Sequence, residues 1–280
     1  MPLFQETRAR VQEANSCFQE MKRRWLRPAS AFLACIVFAN PVTAEVRLIR
    51  FADAQPFRMG QVTSNRIVHP GMGAKNTTLN YSVSQPGDEF AQHTHGESDD
   101  TILVLKGEVN LKQGATLRLF KAGECAFVPG GQIHGTVTAG TGEAVMISFQ
   151  TPPDLILYTG ARDSSKQGAA PPQGVITPGA VKYLRFDDKN GVVTSPAMGS
   201  MKGGFAHRIL KQGERIRVSV GAGGEQVLFV KSGAIEVKGR SGPWKAEVRD
   251  TVFLTGLERV EVTAVAPDTT LIHIQAPMER

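Results

Sequence analysis

The chain has 280 residues, 41% of them hydrophobic and 21% charged, which excludes disorder by composition and leaves room for one large domain or two small ones. The formal net charge is +6, but no basic run or aromatic ladder accompanies it, so nucleic acid is not an expected partner. The 29 glycines and 16 prolines, with few helical patterns, indicate an all-β protein with many turns.

The first forty-four residues have the layout of an export signal. Met21-Lys22-Arg23-Arg24 opens a basic stretch that includes Arg27, and an apolar run follows from Ala29 to Ala39. Val42-Thr43-Ala44 places small residues where a signal peptidase cuts. The reading is a secretory signal over 21–44, cleaved after Ala44, with residues 1–20 upstream of the natural start at Met21. A buried helix or membrane anchor is the alternative, but bilayer spanning needs about 20 apolar residues and this run is shorter. The mature chain is therefore expected in the periplasm or outside the cell, with no membrane span. It carries 26 basic and 23 acidic residues, a net charge of +3. Cys17 and Cys35 leave with the leader. Cys125 remains alone, cannot form an internal disulfide, and reads as a buried inert thiol.

Past the leader, alternating apolar and polar residues predict strands near 78–84, 101–105, 108–112, 115–120, 125–128 and 143–150. Gly-containing turns separate them. Residues 160–179 are rich in Gly, Pro, Ser and Ala and read as a linker. Strand patterns then resume at 205–210, 214–220, 226–231, 233–238, 244–249, 259–265 and 269–275. Two echoes connect the halves. Val46-Arg47-Leu48-Ile49-Arg50-Phe51 returns as Val181-Lys182-Tyr183-Leu184-Arg185-Phe186, and Thr101 to Gly107 returns as Val227 to Gly233. Their order and similar offsets, 135 and 126, indicate internal duplication.

One constellation carries chemistry. His93-Thr94-His95 places two imidazoles two residues apart, and on a strand such residues share a face. Asp100 follows. Gly130 and Gly131 allow a tight turn before His134. Three of the chain's six histidines thus fall into one spaced pattern. Three neutral imidazoles and a carboxylate suit one divalent transition ion: Fe, Mn, Ni, Co, Cu or Zn. Tyr81 and Arg118 are further candidates for lining the same barrel, with an edge or solvent-facing role as the alternative for each.

The spacing Gly87-x5-His93-x-His95-x4-Asp100-x6-Gly107, then Gly123-x5-Pro129-x-Gly131-x2-His134, resembles the two signature motifs of the cupin superfamily. The motifs cover about 50 residues, and the repeat extends the likeness to the rest. The resemblance implies two tandem jelly-roll β-barrels. The division is a metal-binding barrel at 45–159, the linker at 160–179, and a second barrel at 180–280. It also implies His93, His95 and His134 as metal ligands. The family's fourth ligand is usually Glu. Asp100 stands there, one methylene shorter, and can bind directly, bind through water, or leave a three-histidine site. Asp99 and Glu97 are fallback ligands, although Asp99 breaks the six-residue spacing to Gly107. Thr138 replaces the asparagine that often closes the second motif. In the second half the ligand positions become Ser219, Gly221, Gln226 and Arg259 or Val260, so that barrel is expected to be degenerate and metal-free. His207 and His273 there read as structural or surface residues.

The resemblance implies a metal-dependent enzyme acting on a small oxygenated molecule, with a dioxygenase of the quercetinase-like group as the leading suggestion and Asp100 as its catalytic base. The alternatives are a non-catalytic module that senses or binds an oxyacid or sugar, and a protein whose metal only stiffens the barrel. A homodimer is a possible assembly.

Overall fold

The computed structural model describes residues 45–158, 173–200, 202–240 and 242–278. The expected export signal, Cys17 and Cys35 lie outside them. The described chain is almost entirely strand. The first half contains β1 (Glu45–Ile49), β2 (Gln55–Met59), β3 (Val62–Val68), β4 (Leu79–Ser84), β5 (Glu89–His93), β6 (Asp99–Lys106), β7 (Glu108–Gln113), β8 (Thr116–Lys121), β9 (Glu124–Val128), β10 (His134–Ala139) and β11 (Ala144–Thr151). The second contains β12 (Lys182–Arg185), β13 (Gly191–Val192), β14 (Gly204–Leu210), β15 (Arg215–Ser219), β16 (Glu225–Ser232), β17 (Ala234–Gly239), β18 (Gly242–Glu247), β19 (Thr251–Thr255), β20 (Arg259–Ala264) and β21 (Thr269–Ala276).

Each half is a jelly roll of two facing sheets rather than one continuously hydrogen-bonded cylinder. The first pairs a seven-stranded sheet, β12-β9-β6-β11-β4-β3-β2, with a four-stranded one, β5-β10-β7-β8. The second pairs a six-stranded sheet, β1-β19-β16-β21-β14-β13, with β15-β20-β17-β18. All strand pairs are antiparallel. Ile102 and Val104 from the large sheet meet Val109, Leu111 and Phe120 from the small one to form the first core. Leu228, Val230, Ile235 and Val237 do the same in the second.

The large sheets also bury their outer faces. Leu103, Ile147 and Phe149 of the first half join Phe205, Phe229 and Ile272 of the second in one cluster. Phe149 and Phe205 meet edge to face with centroids 5.9 Å apart. This double burial explains why 101–105 is a continuous apolar run rather than an alternating one. Each fully buried Phe or Leu contributes about 1.5–3 kcal/mol relative to exposure, so this contact is a principal source of stability.

The duplicated opening strands change places between the two halves. β1 pairs with β19, in register from Glu45 opposite Thr255 to Ile49 opposite Thr251. β12 pairs with β9 of the first half, from Lys182 opposite Phe127 to Arg185 opposite Glu124. The two segments are close copies of each other, so each presents the apolar face the other sheet needs. The Asp250 carboxylate anchors the first exchange, accepting from Arg50 Nη1 at 2.7 Å and the Phe51 N–H at 3.1 Å. A second clamp joins the halves. Glu225 accepts the backbone N–H groups of Lys75, Asn76 and Thr77 at 2.6, 2.9 and 3.1 Å.

Periodicity missed β2, β3, β5, β10, β13 and β19. β3 carries Ser64 and Arg66 towards the cavity and so lacks a core-strand pattern, while β2 and β19 are only five residues long. The described end of the expected linker is docked. Thr94 Oγ1 donates to the Gln173 carbonyl at 2.6 Å, and the Ile133 N–H to the Val175 carbonyl at 2.9 Å. Its residues 159–172 lie outside the described ones.

Candidate metal centre

His93 ends β5 and His134 begins β10, and the two are register partners. The register shifts just after His134, and a β-bulge of this kind re-aims the neighbouring side chain. Gly135 sits at the shift, where a Cβ would lie 2.7 Å from the Phe90 carbonyl oxygen. Only glycine lets the strands approach so closely there. Gly131 adopts φ 78° and donates its N–H to the His95 carbonyl at 2.7 Å, tying the two motif loops together. Asp100 enters from β6 on the facing sheet.

His93, His95, Asp100 and His134 are all buried, and their ligand atoms lie within 4.8 Å of one another. The outer nitrogens show which ends face the centre. His93 Nδ1 donates to the Ala91 carbonyl and His134 Nδ1 to the Gln132 carbonyl, each at 2.9 Å. His95 Nδ1 donates to the Asp154 carboxylate at 3.1 Å. A carbonyl can only accept, so these bonds leave Nε2 of the neutral rings as the lone-pair end. The Nε2 atoms of His93 and His95 are 3.1 Å apart. Asp100 Oδ2 lies 3.3 Å from His134 Nε2 and 3.6 Å from His95 Nε2.

This donor set fits a cation. Facing lone pairs at such distances repel unless a proton or metal ion lies between them. Asp100 Oδ1 is buried without a hydrogen-bond partner, a costly state for a carboxylate oxygen that a metal or substrate would relieve. Electrostatics agree. Burial, then the His134 and His95 rings, push His93 well below the usual imidazole range. For His95 burial acts the same way, but Asp100 and Asp154 outweigh it and raise its pKa. Burial alone would raise Asp100, yet the His134 and His95 rings beside it hold it below the usual carboxylate range, so it is ionised at neutral pH.

Among the three acids weighed from sequence, Asp100 joins the cluster. Asp99 turns away to accept the Gly130 N–H at 3.0 Å, and Glu97 is exposed. Spacing could not reveal Asp154 and Gln150, which lie 59 and 55 residues from the His95 they support. Gln150 Nε2 is 3.2 Å from His95 Nε2, and its Oε1 accepts the Asp154 N–H at 3.2 Å. Tyr81 and Arg118 do not line the site. Tyr81 packs between Phe51 and Phe229, and Arg118 stacks 3.8 Å over the Tyr183 ring. Cys125 is buried, and burial pushes its thiol up to about 12.

The cluster opens into a cavity of about 720 Å³, mouth included. Ser64, Asn80, Ser82 and Ser148 give it polar walls, while Phe57, Phe90 and Met146 give it apolar ones.

A family model described as "Cupin domain" matches residues 80–149, the stretch that holds all four side chains. This chain carries a cupin domain. Solved cupin-like structures extend the likeness over both halves. Bacterial pirin YhhW from Escherichia coli, in complex with nickel(II), superposes with a TM-score of 0.63 at 18% identity, covering 84% of this chain and 100% of that one. Salicylate 1,2-dioxygenase from Pseudoaminobacter salicylatoxidans, in adducts with gentisate, gives 0.62 at 13%, covering 94% and 90%. Oxalate decarboxylase from Bacillus subtilis gives 0.59 at 10%, covering 81% and 75%. At these identities the likeness is one of fold. No curated protein matches.

The second lobe repeats the register without the ligands. Ser219 pairs with Arg259 where His93 pairs with His134. Gln226 pairs with Gln275 where Asp100 pairs with Gln150. No second cluster of metal-ligating groups occurs among the described residues. The chemistry of the first cluster is that of a site for one divalent metal ion. No helix among the described residues is long and apolar enough to cross a membrane.

Proposed function

We propose that this protein is an extracytoplasmic, metal-dependent cupin enzyme acting on a small oxygenated organic molecule, with dioxygenase chemistry. His93, His95, Asp100 and His134 are its metal ligands. The observation that carries the reading is the cavity beside them. A metal that only stiffens a fold is closed off by protein ligands, whereas a catalytic one keeps open positions and room for substrate. Here the four side chains line a cavity walled also by Ser64, Ser82, Phe57 and Phe90.

A divalent ion on these ligands supplies Lewis acidity towards substrate oxygens. The three imidazoles hold their orientation through Ala91, Gln132 and Asp154. Asp100 serves as the base. Its Oδ1, ionised and without a partner, accepts a proton from a substrate hydroxyl. Phe90 packs edge to face against His93 with centroids 4.9 Å apart.

The test has two stages. Protein reconstituted separately with each candidate metal is assayed for metal content, then for oxygen uptake with flavonols, catechols and diketones. Uptake that depends on both metal and one substrate class supports the proposal. Stoichiometric metal with no uptake under any combination moves the protein to the binding or sensing class. The extracytoplasmic location rests on the leader at 21–44. N-terminal sequencing of exported protein should begin at Glu45, and retention in the cytosol with the leader intact contradicts it.

A further inference from the structure

We infer that Asn80 is the specificity-determining residue of the cavity, and that the substrate carries a hydroxyl group for it, set apart from the oxygens offered to the metal ligands. The inference rests on the metal-dependent reading of the same cavity and adds a second point of recognition to it.

Asn80 lies inside β4, which is hydrogen-bonded between β3 and β11. Its neighbours Leu79 and Tyr81 belong to the cluster between the two large sheets. Strand alternation turns Asn80 the other way, into the cavity it lines. Two strand spacings, about 10 Å, separate β4 from β6, the strand that carries Asp100. Asn80 is therefore no part of the metal-binding group, and it faces a different part of the same occupant.

Asparagine is disfavoured inside strands, and a buried polar atom without a partner costs stability. Asn80 meets both conditions, since its Oδ1 is buried with no hydrogen-bond partner. The second lobe shows that the fold does not require this cost. Asn80, Ser148 and Ile102 are register partners across β4, β11 and β6. The same row across β14, β21 and β16 reads Ala206, His273 and Leu228. Alanine stands in the lobe without metal ligands, and the amide stands in the lobe that has them.

The amide's chemistry selects the group it reads. One end only accepts and the other only donates, so a hydroxyl, which does both, satisfies it in either orientation. A carboxylate only accepts and cannot complete the buried Oδ1. Ser148, opposite Asn80, lines the same cavity, while Phe57, Phe90 and Met146 give the carbon frame an apolar wall. The ligand class is a small, largely apolar frame with metal-binding oxygens at one end and a neutral hydroxyl at the other.

Calorimetry on zinc-loaded protein, which binds without redox turnover, compares 3,4-dihydroxybenzyl alcohol with 4-methylcatechol. The two share a chelating end and differ by one hydroxyl at the far end. Wild type should bind the alcohol about 10-fold more tightly, the scale of one buried hydrogen bond. Asn80→Ala, which matches the second lobe, should erase that preference and leave 4-methylcatechol affinity and zinc content unchanged. Its melt without ligand should lie at or above that of wild type, because an unpaired polar atom is gone. Asn80→Val repeats both measurements with a strand-favouring side chain. Equal binding of the two probes by wild type, or a preference that survives in either folded variant, overturns the inference and leaves the metal-dependent reading standing. A lower melt or failure to fold in both variants does the same, since the amide would then serve the fold. Failure of zinc-loaded wild type to bind either probe, or binding that needs no zinc, overturns both.

Discussion

In the first lobe, β5 and β10 set His93 against His134, and the Asp100 carboxylate is left with an unpartnered oxygen. In the second, β15 and β20 set Ser219 against Arg259. There Gln226 is satisfied at both ends, Nε2 donating to the Ser219 carbonyl and Oε1 accepting from His273 Nε2, each at 2.6 Å. His273 is pushed down to about 4 by burial, then by the Arg208 charge, so it remains neutral. At the position equivalent to Asp100 the second lobe is closed by hydrogen bonds among its own groups. In the first lobe the Asp100 carboxylate keeps a buried oxygen that an added ion or ligand would complete. The shared register shows that sheet packing sets the fold, while the interior chemistry can be replaced side chain by side chain.

The comparison implies that the lobes fold as one unit although one of them carries the chemistry. Phe149→Ala empties the inter-lobe core and should destabilise by about 3–5 kcal/mol. Chemical denaturation should still show a single transition. Two separated transitions would mean that the lobes are independent. Glu225→Gln weakens the charge-assisted clamp on residues 75–77 and should cost roughly 1–3 kcal/mol in the same experiment. An unchanged midpoint would remove the clamp from the account.

Asp154→Asn probes the lobe difference at the site itself. It weakens the acceptor that orients His95, and metal affinity measured by chelator competition should fall about 10- to 100-fold with little change in the melt. The smallest effect belongs to the edge strands. Leu119 is 52% exposed on β8, and its register counterpart on β18 is Lys245. Leu119→Lys should change stability by no more than about 0.5 kcal/mol. A larger loss would show that this leucine is covered in solution.

The site was legible because its ligands obey local rules. His93 and His95 share a face by strand alternation, and Asp100 and His134 follow at motif spacing. The second lobe's replacements Ser219, Gln226 and Arg259 were legible from the offset of the repeat, and the register supports each of them. The exchange of β1 and β12 was not, because an alternating pattern states which face is apolar and nothing about which sheet it joins. β3 was hidden by its place in the cavity wall, where it carries Ser64 and Arg66 at positions a core strand gives to Val or Leu. Asp154 was invisible because its contact with His95 is made by folding, across 59 residues.

The central claim is one metal site, in the first lobe alone, and metal content per chain tests it most directly. Wild type and Gln226→Ala should each retain one equivalent of divalent metal after dialysis, and the double variant His93→Ala, His95→Ala should retain none. Full occupancy in the double variant, or a second equivalent in wild type that Gln226→Ala removes, would contradict it.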